Sequence, residues 1–139
     1  LTATPLSEIP LPPAMRVKLA AQPIDSSNVF LYHKTTRRDL YDAARATRPD
    51  CDDVLLWNER GEMTESTIAN VVVELNGQRY TPPVECGLLS GTLRADLIER
   101  GLIRERVILK EELRAASRVW LINSVRGWRE VQLTMNNDK

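Results

Sequence analysis

Histidine, cysteine and long apolar runs are scarce in this chain of 139 residues, and each scarcity excludes a class of function. With His33 as the one histidine, any Ser-His-Asp apparatus would have to use it. Its place beside Lys34 is more simply that of a wall residue or helix-start donor. The two cysteines, Cys51 and Cys86, lie far apart with neither a CxxC spacing nor His-rich surroundings. That pattern speaks against a zinc site or a disulfide scaffold and for a reducing compartment, so no metal is expected. No run approaches the roughly 18 to 20 apolar residues needed to span a bilayer, and the first residues lack the charged start and apolar core of a signal peptide. A cytoplasmic protein without a membrane partner is the expectation. An excess of one charge is also missing: 19 basic side chains balance 19 acidic ones, so nucleic acid is not an expected partner.

What is there fits one domain, large enough for a core but small for an enzyme that needs two walls around a cofactor. Residues 1–14 carry Pro5, Pro10, Pro12 and Pro13, cannot form a helix and read as an arm or interdomain linker. The expected domain covers residues 15–135, and 136–139 form a polar tail. Met15 to Ala21 alternates as a half-buried strand does. A helix is expected from about Arg38 to Arg48, stopped by Pro49, with the basic cluster His33, Lys34, Arg37 and Arg38 where an apolar Phe30-Leu31-Tyr32 run hands over to it. Strands are expected at Asp53 to Asn58, Ile68 to Leu75, Gln78 to Thr81, Arg104 to Leu109, Val119 to Ile122 and Glu130 to Leu133, with hairpin turns at Gly61 and Asn76-Gly77. A helix should follow Gly91-Thr92, its apolar residues at Leu93, Leu97, Ile98 and Leu102, and a short helix should run from Lys110 to Ala116. No internal repeat or low-complexity segment interrupts this order.

Several residues can carry chemistry. Lys34 alone would be a surface lysine, but an apolar run before it and Arg37 and Arg38 beside it both depress a lysine pKa, which suits an imine-forming amine. Glu65 reads either as a solvated or capping carboxylate or as the partner that keeps a cofactor's pyridine nitrogen protonated. The turns Gly91-Thr92-Leu93 and Asn123-Ser124-Val125 are ordinary loops or, with backbone amides and two hydroxyls, a phosphate cradle shared by both. Arg126 is a surface arginine, or a carboxylate clamp if its turn faces a cavity. Trp57, Trp120 and Trp128 read as core or interface residues.

Four ordered segments, HKTTRRDLYDAAR (His33 to Arg45), MTESTIANVV (Met63 to Val72), TPPVECGLLSGTLR (Thr81 to Arg94) and LINSVRGW (Leu121 to Trp128), resemble those that build the cofactor site of class IV aminotransferases, the fold-type IV pyridoxal-phosphate enzymes. The resemblance implies an α/β (α+β) fold: the C-terminal domain of the D-amino-acid aminotransferase-like fold, a mixed, largely antiparallel sheet or pseudo-barrel with flanking helices. It implies pyridoxal 5'-phosphate as cofactor. Lys34 takes the place of the Schiff-base lysine and Glu65 that of the pyridine-nitrogen partner, while Asn70 closes the motif that Glu65 opens. Thr92 and Leu93 match the phosphate-holding amides, and Asn123 and Ser124 the second phosphate turn. Within the family the lysine segment and the NS-VRG turn look most like 4-amino-4-deoxychorismate lyases, including those fused to an aminodeoxychorismate synthase component. The implied activity gives 4-aminobenzoate and pyruvate, for folate biosynthesis. A transaminase acting on branched-chain or D-amino acids is the alternative within that chemistry, and a non-catalytic structural or dimerising module the alternative outside it. Family members carry an N-terminal small domain that residues 1–33 are too short to supply, so activity of this chain alone is an open expectation; a homodimer is implied as well.

Overall fold

The structure is a computed structural model and describes residues 15–29 and 34–134. Eight strands form one mixed sheet: β1 (Met15–Leu19), β2 (Asp53–Trp57), β3 (Met63–Ser66), β4 (Asn70–Leu75), β5 (Gln78–Thr81), β6 (Arg104–Glu105), β7 (Arg118–Asn123) and β8 (Gly127–Leu133). Among the described residues three α-helices accompany them, α1 (Ser26–Val29), α2 (Lys34–Ala46) and α3 (Thr92–Glu99), with 3-10 helices at Val84–Cys86 and Lys110–Ala115. Strand order is β3-β2-β1-β8-β7-β4-β5-β6, and a further pairing of β3 with β4 closes the first part into a ring. The closing contact is the antiparallel pair Glu65 and Asn70. β1 runs parallel to β2 and β8, whereas the β2–β3, β4–β5, β4–β7 and β7–β8 pairs are antiparallel. The expected pseudo-barrel is therefore what the chain forms.

Alternation along each strand sorts side chains between the two faces of the ring. Val17, Leu55, Met63, Val71, Val73, Leu121 and Val131 fill its interior. The intervening residues point outward and are buried by helices: Val72, Trp120 and Ile122 under Leu97 of α3, and Ala20, Val54 and Leu56 under Tyr41 and Ala44 of α2. Burial on both faces explains why DVLLW and NVVVEL are nearly continuous apolar runs. At Asn76-Gly77 both residues adopt positive φ, 53° and 77°, the geometry that a tight hairpin between right-twisted strands requires.

Several elements differ from expectation; β8 begins at Gly127 rather than Glu130, and the short helix from Lys110 is a 3-10 helix ending at Ala115. α2 begins at Lys34, about a turn earlier than the pattern suggested, because Thr35 and Thr36 have low helix propensity but stand in the first turn, where tertiary context overrides it. The strand expected from Ile68 starts two residues later, at Asn70, because Ser66 to Ala69 form a turn, and β3 stands before that turn as a separate strand. The strand expected at Arg104 to Leu109 pairs with β5 only at Arg104–Glu105, since the chain then turns to the start of β3, where Ile108 O accepts from Met63 N and Leu109 bridges Glu62. Phe30, Leu31, Tyr32 and His33, the arm and the tail from Met135 lie outside the described residues. Among the described residues no helix is long and apolar enough to cross a membrane.

Candidate active site

Glu65 and Asn70 are directly opposed on β3 and β4, so their side chains share a face, and Asn70 is in turn opposite Ile122 of β7. Ile122 belongs to the outer layer under α3, which places the pair outside the ring, between α2 and α3. A cavity of about 330 Å³ lies there. Its floor is Glu65, Ala69, Asn70, Ile122 and Asn123; Tyr41 of α2 forms one wall, and Leu89, Ser90 and Gly91 form the other. The volume is at the lower end of the range of small-molecule sites. Glu65 is 6% exposed, and it is the one carboxylate among the described residues that line the cavity.

The β3–β4 turn that carries this pair is fixed by its own side chains. Ser66 Oγ accepts from the amides of Ile68 and Ala69 at 3.1 and 2.9 Å, and the Thr67 hydroxyl donates to Asp53 at 2.6 Å. Tyr41 Oη donates to Glu65 Oε2 at 2.5 Å, joining the helix wall to the floor.

Asn70 points the other way along the floor and clamps the second wall. Its Nδ2 donates to Leu89 O at 2.8 Å and its Oδ1 accepts from Gly91 N at 2.9 Å. Gly91 has an ordinary φ of −72°, yet a Cβ there would stand 3.0 Å from Asn70 Oδ1, so close approach rather than backbone freedom selects the glycine. Gly91 precedes α3 and makes no side-chain cap, so the first amides of α3, those of Thr92, Leu93 and Arg94, lack intrahelical acceptors and carry the positive end of the helix dipole.

The second turn meets the first. Asn123 Oδ1 accepts from the amides of Val125 and Arg126 at 3.1 and 2.8 Å, shaping the β7–β8 turn, and the hydroxyls of Thr92 and Ser124 are hydrogen-bonded to each other. Two hydroxyls and a helix start thus stand together at the edge of the cavity. Arg94, 3% exposed, locks the loop behind them by donating to Ser90 Oγ, Pro82 O and Glu105 Oε2 at 2.9, 2.9 and 2.6 Å.

Of the residues singled out in the sequence, Glu65, Asn70 and Asn123 line one cavity and Thr92, Leu93 and Ser124 adjoin it. Lys34 opens α2, seven residues before the wall residue Tyr41; its side chain lies outside the described residues. Arg126 is exposed and does not line the cavity. The tryptophans are not part of it either: Trp120 and Trp128 pack edge to face under α3, with Arg79 stacked over both, and Trp57 is covered by Lys110. Sequence reasoning missed Tyr41, Leu89 and Arg94. Arg94 carries a signal, a charged residue on a helix start otherwise facing the sheet, whereas the helical spacing of Tyr41 fits packing alone.

Several known proteins are similar to this chain. A Schizosaccharomyces pombe protein provisionally named an aminodeoxychorismate lyase is 42% identical over 106 residues, 71% of this chain and 46% of that protein. The aminodeoxychorismate lyase of Saccharomyces cerevisiae is 32% identical over 131 residues, 80% of this chain and 35% of its own length. A solved structure from Mesorhizobium loti, provisionally named an amino-acid aminotransferase, superposes with a TM-score of 0.79 at 40% identity, covering 87% of this chain and 60% of that one. The chain spans about half the length of such relatives. The family model described as amino-transferase class IV matches residues 1–133, and the chain belongs to that family.

Proposed function

We propose that this chain is the cofactor-binding part of a pyridoxal-phosphate-dependent 4-amino-4-deoxychorismate lyase, which produces 4-aminobenzoate and pyruvate. The observation that carries the reading is the donor set of one cavity: a buried carboxylate at Glu65, and at the other end an uncapped helix start joined by the Thr92 and Ser124 hydroxyls. This set fits pyridoxal phosphate, whose ring nitrogen calls for an acid and whose phosphate calls for amides and hydroxyls. When bound, the cofactor supplies an electron sink for the bond-breaking step.

The roles of the chain's own residues follow from that fit. Glu65 holds a proton on the ring nitrogen. The amides of Thr92 and Leu93, with the Ser124 hydroxyl and the Asn123-shaped turn, bind the phosphate; Asn70 fixes the loop that presents these amides. Lys34, the implied attachment point, takes the proton from the amine-bearing ring carbon of the substrate as the carbon–oxygen bond to the enolpyruvyl group breaks. The departing group gains a proton and becomes pyruvate, and the ring becomes aromatic.

The mouth of the cavity is bordered by Ile68 and Leu89, 53% and 52% exposed. In the proposed enzyme this apolar rim is covered by a further part of the protein, as in a homodimer of longer chains.

A transaminase is the second reading, favoured by the 40% identity to the Mesorhizobium loti structure. Product analysis of the full-length protein with pyridoxal phosphate separates the two. The lyase forms pyruvate and 4-aminobenzoate in equal amounts from aminodeoxychorismate and loses this on Lys34→Ala. Amino-group exchange with 2-oxoglutarate and no 4-aminobenzoate would overturn the lyase reading, and a full-length protein that binds no cofactor would leave a structural module.

A further inference from the structure

The hydrogen bond from Tyr41 to Glu65 has no part in the roles assigned so far. Tyr41 lies in the middle of α2, and its ring packs beside Ala20, Val54 and Leu56 on the outside of the ring of strands. Its position is therefore held by the barrel, independently of any ligand. From there Oη donates to Glu65 Oε2 at 2.5 Å, within the short range of hydrogen bonds to a charged oxygen. Glu65 is 6% exposed, and burial by itself disfavours an ionised carboxylate. A phenol that donates to the charged form acts in the opposite direction.

We propose that Tyr41 is a positioning residue that keeps Glu65 ionised and its carboxylate turned to the cavity, and so sets how firmly the site holds a protonated heteroaromatic nitrogen. The inference rests on the assignment of Glu65 as the partner of the cofactor's ring nitrogen. It adds a structural link as well. Tyr41 stands on the helix that Lys34 opens, and Glu65 on β3, so one phenol ties the lysine-bearing helix to the carboxylate-bearing strand.

The test is made in full-length protein with two readouts. Tyr41→Phe keeps the packed ring and removes the donor. In cofactor-free protein with labelled glutamate, carbon NMR should show the Glu65 carboxyl titrating about one pH unit higher in Tyr41→Phe, the size expected for one lost hydrogen bond to a charge. A single 3-fluorotyrosine at position 41, a stronger donor, should move the titration the other way. The dissociation constant for pyridoxal phosphate should rise about tenfold on Tyr41→Phe, and the same change should have almost no effect in a Glu65→Gln background. An unchanged Glu65 titration in both variants, or an undiminished loss of affinity in the Glu65→Gln background, would overturn the proposal. If the unsubstituted protein bound no pyridoxal phosphate, the functional reading would fall, while the carboxyl titration would still decide what Tyr41 does to Glu65.

Discussion

The two walls of the cavity are held in different ways. The Leu89–Gly91 wall is bound to the sheet by polar side chains: Asn70 grips it at two points, Arg94 anchors the loop behind it at three, and Thr92 joins it to the β7–β8 turn. The α2 wall rests mainly on apolar contacts of Tyr41 and Ala44 with Ala20, Val54 and Leu56, with Arg45 donating to Asp52 O at its far end, and reaches the floor through the Tyr41 hydroxyl. Rigidity suits the phosphate-binding role proposed for this edge, since amides that are already aligned lose little freedom on binding. The helix on which the proposed anchor and base Lys34 stands has instead few polar ties to the cavity floor. The site is thus divided into a wall pinned by several polar side chains and a wall that rests mainly on apolar packing.

This contrast can be broken most strongly at Arg94. Arg94→Ala should destabilise the protein by about 3 kcal/mol, because it leaves the buried Pro82 O without its donor and opens a void where a side chain only 3% exposed was packed; thermal unfolding measures it. Asn70→Ala removes both clamps and should cost about 2 kcal/mol, together with the stabilisation that added phosphate or pyridoxal phosphate confers. Gly91→Ala sharpens the comparison, since its Cβ would meet Asn70 Oδ1 at 3.0 Å. It should cost about 1 kcal/mol in stability and lower phosphate affinity more than it lowers stability. Equal sensitivity of α2 to all three changes, seen as equal loss of hydrogen-exchange protection in both walls, would show that the walls are not independent.

The smallest expected effect lies outside both walls. The Ser26 backbone amide, reinforced by the Ser26 hydroxyl, holds the Glu59 carboxyl below the usual carboxylate range. Its contribution to stability is therefore present above the unfolded-state value and is lost as the pH falls through the lower folded-state value. Ser26→Ala, which keeps the amide but not the hydroxyl, should move acid unfolding followed by circular dichroism to slightly higher pH and leave both walls unchanged.

Much of this architecture was legible in the residues. The strands β2, β4 and β7 announce themselves because burial on both faces demands β-branched and apolar residues, and the Asn76-Gly77 hairpin because few other pairs accept its φ angles. The site motifs were visible as separate pieces. Their meeting was not: a local turn sets Glu65 opposite Asn70, but only the assembled sheet places that pair beside Ile122 and within reach of Tyr41, and Thr92 reaches Ser124 across 32 positions of chain. Tyr41 was invisible for the same reason. An amphipathic helix always shows a tyrosine at a sheet-facing position as packing, and only the register of β3 reveals a carboxylate within reach of its hydroxyl. The short β6 was misjudged because alternation marks an extended chain but not which neighbour that chain will bond to.

Among four lysines at positions 18, 34, 110 and 139, the account requires one to carry the cofactor. Incubating the full-length protein with pyridoxal phosphate, reducing it with borohydride and locating the added pyridoxyl group by peptide mass spectrometry tests that requirement directly. The account predicts a single pyridoxyl group, on Lys34. A protein that acquires none, or acquires it on Lys18 or Lys110 with Lys34 unmodified, would contradict it.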